Sequence, residues 1–199
     1  MLLVRHGRTA TTGKVLPGRA PGLHLADEGR REAAEVAQRI AGVGRVAAVY
    51  ASPLERAAET AGFIAEACRV ETRVEPGLLE CDYGEWTGAP LKELRRKPEW
   101  KVIQRYPSGF RFPDGESLTE MQTRITGTLA RRVAAHAKET IVAVSHADPI
   151  KAAVAHALGV HLDLFQRIAV ATGSLSAIAY HPEGPTVLTV NSRGPGLPS

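Results

Sequence analysis

The first apolar run of the sequence ends in residues that could carry out chemistry on a phosphate. Residues 1–4 are apolar, and Arg5, His6 and Gly7 follow directly. A strand that stops there places an imidazole at its carboxyl end, which is where open α/β sheets bind ligands. An arginine can hold a phosphate through two parallel hydrogen bonds, and a glycine lets the backbone approach a ligand closely. We therefore interpret His6 as a candidate nucleophile beside a phosphate-binding arginine.

Two later predicted strands end in matching chemistry. One is followed by Ser52 and then by Arg56, and the other ends at Ser145 and His146. If these strands run parallel, their ends meet at one edge of a sheet, where the N-termini of the following helices favour an anion. Two arginines and two histidines would then form a site for a tetrahedral dianion, and we expect neither a metal ion nor a cofactor.

The leaving oxygen of a phosphate ester also needs a proton donor, and Glu80 is the best candidate. It follows the apolar pair Leu78-Leu79 and precedes a Tyr-Gly turn, so we expect it to project from a strand end. Asp82 is the rival carboxylate. On spacing alone, the pattern at position 80 favours an ordinary surface glutamate over a catalytic one.

The remaining pattern predicts how these residues are positioned. Alternating apolar runs, loops and amphipathic segments indicate βαβ units. We expect strands at 1–5, 46–51, 70–75, 140–145, 175–180 and 186–190, and helices at 27–41, 53–68, 118–137 and 148–158. Ser52 to Glu55 and Ser117 to Glu120 each match a capping box, in which the serine and glutamate side chains satisfy free N–H groups at a helix start.

Composition bounds the remaining choices. The chain has 199 residues, 44% hydrophobic and 23% charged, which is typical of one globular domain spanning residues 1–199. The net charge of +4 is scattered, so we expect no nucleic-acid partner. No apolar run could span a bilayer, and the two cysteines need no disulfide framework. We expect a cytoplasmic monomer or homodimer with no membrane partner.

Residues 83–112 stand apart from the pattern. Six of the ten aromatic side chains lie there, interleaved with basic residues. The aromatic ones are Tyr83, Trp86, Trp100, Tyr106, Phe110 and Phe112. The segment is either a satellite core under a long insertion or a cap over the substrate. We expect it to set substrate choice through Arg95 and Arg111, and we expect the tail, residues 192–199, to fray.

Taken in order, these motifs resemble the histidine phosphatase superfamily, also called phosphoglycerate mutase-like. The resemblance covers nearly the whole chain and rests on residues 5–9, 52–57 with 60–61, 80–88, 114–117 and 144–146. Residues 80–88, 90–94 and 161–168 further resemble an actinobacterial subgroup of phosphomutases and phosphatases. The family implies a three-layer α/β/α sandwich with a mostly parallel central sheet.

The resemblance also implies a mechanism and roles for the candidate residues. Neutral His6 attacks phosphorus in line and becomes a phosphohistidine. Arg5, Arg56 and His146 hold the non-bridging oxygens and stabilise the developing charge. Glu80 protonates the leaving alcohol and then, as a carboxylate, activates the water that cleaves the N–P bond. Such a glutamate works best when partial burial raises its pKa.

Further substrate contacts are expected at Thr12, Gly18, Tyr83 and Ala147. Thr12 stands where the family commonly has asparagine, Gly18 belongs to a Pro-Gly pair in place of Gln-Gly, and Ala147 replaces a glycine after the second histidine. These departures leave the nucleophile and both arginines in place. They concern the fine contacts with the substrate.

The leading functional hypothesis is a metal-independent phosphomonoesterase that acts on a small phosphorylated metabolite. The alternative within the same chemistry is a phosphoglycerate mutase-type phosphomutase, but the longer insertions of cofactor-dependent mutases are missing from this chain. A module that binds phosphorylated ligands without turnover is disfavoured because nucleophile, acid and both arginines are all present.

Overall fold

The computed structural model describes residues 1–194 as a six-stranded mixed sheet flanked by helices. The strands are β1 (Leu2–Arg5), β2 (Val46–Ala51), β3 (Thr72–Val74), β4 (Thr140–Ser145), β5 (Leu175–His181) and β6 (Gly184–Ser192). The helices are α1 (Asp27–Ala41), α2 (Glu55–Cys68), α3 (Leu91–Leu94), α4 (Pro98–Arg105), α5 (Leu118–Ala135) and α6 (Ala147–Ala157). The strand order is β3-β2-β4-β1-β5-β6. The four neighbouring strands β3, β2, β4 and β1 run parallel to one another, and β5 runs antiparallel to its neighbours β1 and β6.

The alternating side chains of the strands build two hydrophobic cores, one on each face of the sheet. Leu2 and Val4 of β1 pack with α1 and α2, whereas Leu3 packs with α5 and α6 on the opposite face. This alternation is the two-residue period of a strand that is buried on both sides. The predicted three-layer α/β/α sandwich is therefore confirmed. Within the described residues, no helix combines the length and the apolarity that crossing a bilayer requires.

The predicted strands and long helices are present, and one of the two predicted capping boxes is confirmed. Three details differ from the prediction: the other capping box, two short helices and the start of the tail. The capping box at Ser117 is confirmed: the Ser117 Oγ accepts from the Glu120 N at 3.1 Å, and the Glu120 carboxylate accepts from the Ser117 N at 2.9 Å. The box at Ser52 is wrong, because Leu54 is the N-cap of α2 and no side chain caps that helix. The sequence analysis also missed the short helices α3 and α4. Of the tail expected to fray, residue 192 ends β6, and residues 195–199 lie outside the described part of the chain.

The aromatic segment 83–112 contributes to the core as well as to the surface. Four of its rings are buried in the cluster that also contains α5 and α6; they are Tyr83, Trp86, Phe110 and Phe112. Phe112 meets Tyr83 and Phe110 edge to face at ring-centroid distances of 4.9 and 5.0 Å, a favoured arrangement for aromatic pairs. Tyr106, in contrast, is 58% exposed. The buried rings fit the satellite-core interpretation, and Leu94 of α3 and Ile103 of α4 pack into the same cluster; a role as a cap over the substrate stays a prediction.

Gly7 is required by the packing of α1. A Cβ at this position would lie 2.2 Å from the Gly29 carbonyl oxygen, and one at Gly29 would lie 2.0 Å from the Arg8 carbonyl oxygen. The sequence analysis assigned Gly7 to close approach of a ligand. In the structure the close neighbour is the backbone of α1, which packs against the turn that follows His6.

We expect Gly7→Ala to lower the free energy of unfolding by about 1–3 kcal/mol, because the methyl group would overpack this contact. Gly62→Ala, at an open position on α2 with nothing within 4 Å of the added Cβ, should raise stability by about 0.5–1 kcal/mol. Urea denaturation of both variants tests this. Equal effects of the two substitutions would contradict the packing role of Gly7.

Candidate active site

The carboxyl ends of β1, β2 and β4 meet at one edge of the sheet. Arg5 lies opposite Ser145 in the parallel pairing of β1 with β4, and the His6 N donates to the Ser145 carbonyl at 3.1 Å. The Ser52 N donates to the Val144 carbonyl at 3.0 Å. The imidazoles that follow β1 and β4 consequently lie side by side, with ring centroids 5.1 Å apart. The predicted convergence of these strand ends is confirmed.

The hydrogen bonds of His6 define which of its nitrogens is free. Its Nδ1 lies 2.7 Å from the Gly7 carbonyl oxygen, which can only accept, so Nδ1 carries the proton. Its Nε2 therefore holds the lone pair, and the Arg56 Nε donates towards it over 3.3 Å. Burial, followed by the charges of Arg56 and Arg5, holds the pKa of His6 well below its usual value. The imidazole is neutral and its Nε2 lone pair is suited to nucleophilic attack.

Three polar groups around this imidazole are incompletely satisfied. Arg5 Nη1 donates to the Val170 carbonyl at 2.7 Å, and Arg56 Nη2 donates to the Gly18 carbonyl at 2.8 Å. Within residues 1–194, the Arg5 Nε, the Arg56 Nη1 and the His146 Nδ1 are nevertheless buried without a hydrogen-bond partner. Buried polar groups normally have partners. A tetrahedral anion beside His6 would offer acceptors to the two guanidinium nitrogens and a partner to the His146 Nδ1.

Glu80 shares a cavity with His6 and is 7% exposed. Its Oε1 accepts from the Cys81 N at 2.9 Å. Burial raises the pKa of this carboxyl to about 7, and the negative charge of Asp148 adds to the effect. The residue does not project from a strand end as predicted, because it lies in a loop after the single helical turn Pro76–Leu78. The carboxyl is thus suited to both donating and accepting a proton near neutral pH.

Two arginines hold the loop of Glu80 by its backbone. Arg124 Nη1 donates to the Leu79 carbonyl at 2.8 Å, and Arg19 Nε donates to the Glu80 carbonyl at 2.9 Å. Glu116 pairs with both guanidinium groups, at 2.8 Å from Arg124 and 3.0 Å from Arg19. The sequence analysis missed the two arginines, although Glu116 belongs to the quoted segment 114–117. The rival carboxylate, Asp82, is absent from the cavity wall and pairs with Arg19 at 3.3 Å.

The cavity beside His6 has a volume of about 320 Å³. Most of its wall comes from the loop after β1, the segment 83–112 and the start of α6, and Arg5, Glu80 and Gln166 also line it. Its wall from the segment 83–112 consists of Tyr83, Leu91, Arg95, Trp100, Ile103, Gln104 and Phe112. Arg111 is not part of this wall and instead pairs with Glu120. Within residues 1–194, no three histidine, cysteine or acidic side chains are grouped as metal ligands.

The predicted substrate-binding residues divide into two sets. Arg5, Thr12, Tyr83 and Ala147 line the cavity, whereas Arg56 and His146 contact the ring of His6 without lining the cavity themselves. Gly18 does not line it; its carbonyl instead accepts from Arg56, and its φ of +51° places it in the left-handed region. A side chain there would also collide with Thr87, whose Oγ1 lies 2.8 Å from an added Cβ. Gly18 therefore contacts the guanidinium group of Arg56 rather than the cavity.

A charged pair on α6 is a part of the wall that the sequence analysis missed. Asp148 accepts from the Tyr83 hydroxyl at 2.9 Å and from Lys151 at 3.3 Å, and Lys151 also donates to Gln166 at 3.0 Å. All of these side chains line the cavity. The three-residue spacing of Asp148 and Lys151, which puts them on one helical face, is the signal that could have revealed them.

A larger cavity, about 620 Å³, lies at the opposite edge of the sheet, beside Met1 and Thr140. Its wall is mainly apolar. Its His136 is held by the Tyr50 hydroxyl at 2.9 Å and by Glu139 at 2.7 Å. This cavity lacks the paired arginines and histidines that converge at the carboxyl edge, so we assign the chemistry to the smaller cavity.

Known proteins resemble this chain in sequence and in fold. The chain is 31% identical to phosphoserine phosphatase 1 of Hydrogenobacter thermophilus over 96% of its own length and 91% of that protein. It is 32% identical to a bifunctional protein of Mycobacterium tuberculosis, of which it spans 54%. A phosphoserine phosphatase mutant from Entamoeba histolytica, solved with phosphoserine, superposes with a TM-score of 0.86 at 27% identity over 96% of both chains.

The family assignment rests on the full length of the described fold. The family model described as "Histidine phosphatase superfamily (branch 1)" matches residues 1–193. That range includes all three strand ends and the loop of Glu80. On the strength of this match and the relatives above, the chain belongs to the histidine phosphatase superfamily.

Proposed function

We propose that this protein hydrolyses a small phosphate monoester, without a metal ion, through a phosphohistidine formed on His6. The observation that carries the proposal is the set of buried nitrogens on Arg5, Arg56 and His146 that have no hydrogen-bond partner among residues 1–194, beside a neutral imidazole. A site with spare guanidinium donors and a neutral imidazole suits a tetrahedral anion that is attacked by nitrogen. The likeness to proteins named phosphoserine phosphatase supports the same reaction class.

In the first half-reaction the His6 Nε2 attacks phosphorus as the bond to the leaving oxygen breaks. The electron pair of that bond goes to the leaving oxygen, which takes the proton of Glu80. Arg5, Arg56 and His146 donate to the three non-bridging oxygens as their charge is redistributed. These donors are fixed before the reaction, so little reorganisation is needed when the charge develops.

In the second half-reaction Glu80, now a carboxylate, takes a proton from a water molecule. The resulting hydroxide attacks phosphorus, the N–P bond breaks, and its electron pair returns to the His6 Nε2. The enzyme regains a neutral imidazole and a protonated carboxyl. A single carboxyl can serve both steps because its pKa, raised to about 7, lies close to neutral pH.

We further propose that the segment 83–112 acts as a cap that selects the leaving group. Its wall is mixed: Trp100 and Ile103 offer apolar surface, and Arg95 and Gln104 offer polar groups.

The free thiols of Cys68 and Cys81 support a place in the reducing cytoplasm. Natural substrates can be sought by screening phosphorylated metabolites for phosphate release.

Phosphomutase activity is the second candidate. The chain is 30% identical to a probable phosphoglycerate mutase of Proteus mirabilis, over 89% of this chain and 83% of that protein. A mutase must exclude water while its bisphosphorylated intermediate reorients. Incubation with 3-phosphoglycerate and a trace of the 2,3-bisphosphate separates the two activities. We expect phosphate release to exceed isomerisation, and the reverse result would favour the mutase.

His6→Ala should abolish phosphate release from an aryl phosphate, because His6 is the one histidine among the described residues that line the cavity. His156→Ala is the matched control, since His156 is exposed on α6 and is not part of the cavity wall. Steady-state release and acid-quench labelling with ³²P substrate measure both variants. Retained turnover or labelling in His6→Ala would refute the assignment of the nucleophile.

The rate of His6 phosphorylation by an alkyl phosphate should fall as the pH rises through about 7, because only the protonated Glu80 carboxyl can donate. Glu80→Gln should remove this pH dependence and slow the reaction of the alkyl phosphate by about 10²–10⁴-fold. An aryl phosphate, whose leaving group needs no proton, should react with this variant nearly as fast as with the wild type. Rapid-quench single turnovers give these rates. Asp82→Asn should keep the pH dependence; its loss there would identify Asp82 as the acid.

Arg95→Met should change the relative kcat/KM values across a panel of alkyl phosphates by about 3- to 10-fold, which corresponds to losing one partly exposed charged contact. Arg111→Met is the matched control, because Arg111 lies off the cavity wall. An unchanged preference profile in Arg95→Met would contradict the proposed cap.

A further inference from the structure

The hydroxyl of Ser52, predicted to cap a helix, contacts His146 instead. Its Oγ lies 2.8 Å from the His146 Nε2, and both residues have no exposed surface. The Leu54 N donates to the same oxygen at 3.4 Å. The resemblance of this stretch to a capping box therefore reflects a different use of the serine.

The partners of the Ser52 hydroxyl determine where its proton goes. The Leu54 N–H is a donor, so it occupies a lone pair of the Oγ and cannot accept the hydroxyl proton. In the described part of the chain, the His146 Nε2 is the one acceptor within hydrogen-bond distance of this hydroxyl. The hydroxyl consequently donates to Nε2. A neutral imidazole whose Nε2 accepts must carry its own proton on Nδ1.

The nitrogen that is thereby protonated is the one without a partner. The His146 Nδ1 is buried and unpaired, in an imidazole that packs against the His6 ring. Burial and the charges of Arg56 and Arg5 hold the pKa of His146 well below its usual value, so the ring is neutral. In a neutral ring the tautomer alone decides whether Nδ1 offers a proton or a lone pair to a neighbouring oxygen.

We propose that Ser52 is a positioning residue that fixes the tautomer and ring orientation of His146, so that its Nδ1–H donates to a phosphoryl oxygen. The opposite tautomer would point a lone pair at the oxygen lone pairs of the phosphoryl group and would repel them. The step from tautomer to catalysis rests on the proposed function, but the tautomer itself does not.

The tautomer of His146 in the resting protein tests the proposal without any turnover. In protein labelled with ¹⁵N-histidine, the ring nitrogens of the seven histidines give distinct shifts for protonated and unprotonated nitrogen, and His146→Gln identifies the signals of His146. We expect an Nδ1–H tautomer in the wild type. An Nε2–H tautomer there would overturn the proposal whatever the variants do.

Ser52→Ala should lower kcat by about 10- to 100-fold, as the loss of a residue that orients a catalytic group commonly does, with little change in KM. It should also weaken inhibition by orthovanadate, which mimics the pentacoordinate phosphorus, more than inhibition by phosphate. Ser52→Thr keeps the hydroxyl and should restore the Nδ1–H tautomer and most of the activity.

Ser176→Ala is the matched control, because Ser176 is 1% exposed and its hydroxyl accepts from the Asn191 N at 3.1 Å. It removes an equally buried hydroxyl but should leave the His146 signals and the ratio of vanadate to phosphate inhibition unchanged. Equal losses of kcat in Ser52→Ala and Ser176→Ala, or an unchanged His146 tautomer in Ser52→Ala, would show that Ser52 has a structural role only and would contradict the proposal. If the wild type shows the Nδ1–H tautomer but no phosphoryl transfer, the proposed function fails and the tautomer assignment stands.

Discussion

The parallel pairing of β1 with β4 is the interaction on which the site depends. It places Arg5 opposite Ser145, so the next residue of each strand, His6 and His146, must emerge side by side. A register slip of one residue would turn a strand's side chains to the opposite face. Because both strands are buried between two helical layers, such a slip would break both cores at once. The distance between the two imidazoles is therefore set by the packing of the whole domain.

Around these imidazoles the fold buries the positive charges of Arg5 and Arg56, and no carboxylate among residues 1–194 forms an ion pair with either of them. The guanidinium group of Arg56 is fully buried and is held by the Gly18 carbonyl, while Arg5 is held by the Val170 carbonyl. Main-chain oxygens satisfy part of each guanidinium group but leave its charge unneutralised. Together with burial, these charges hold the pKa of His6 well below its usual value, and they would favour the phosphate dianion of the proposed reaction. Buried donors without partners at this edge also cost stability, which the proposed ligand would restore.

In the loop of Glu80, the proposed acid, the atoms that the protein holds are distinct from the carboxyl group. Arg124 and Arg19 bind carbonyls of its loop, and Glu116 fixes both arginines. The carboxyl itself takes one backbone hydrogen bond and otherwise faces the cavity. Positive charge is thus used to hold the backbone, whereas burial and the nearby Asp148 carboxylate favour the protonated acid. The loop can be rigid without its carboxyl being locked in an ion pair.

The sequence by itself determined the alternation of strands and helices and the residues at the three strand ends, because strand period and helix period are contained in short stretches of chain. The three layers were expected from the family resemblance. It named His6, Arg56 and His146 as neighbours from that pattern. Only the tertiary structure decided the partners of those residues. Ser52 reaches His146 across 94 positions, and Arg124 reaches Leu79 across 45. Such contacts have no local period, because their geometry exists only after the strands have paired and the helices have packed.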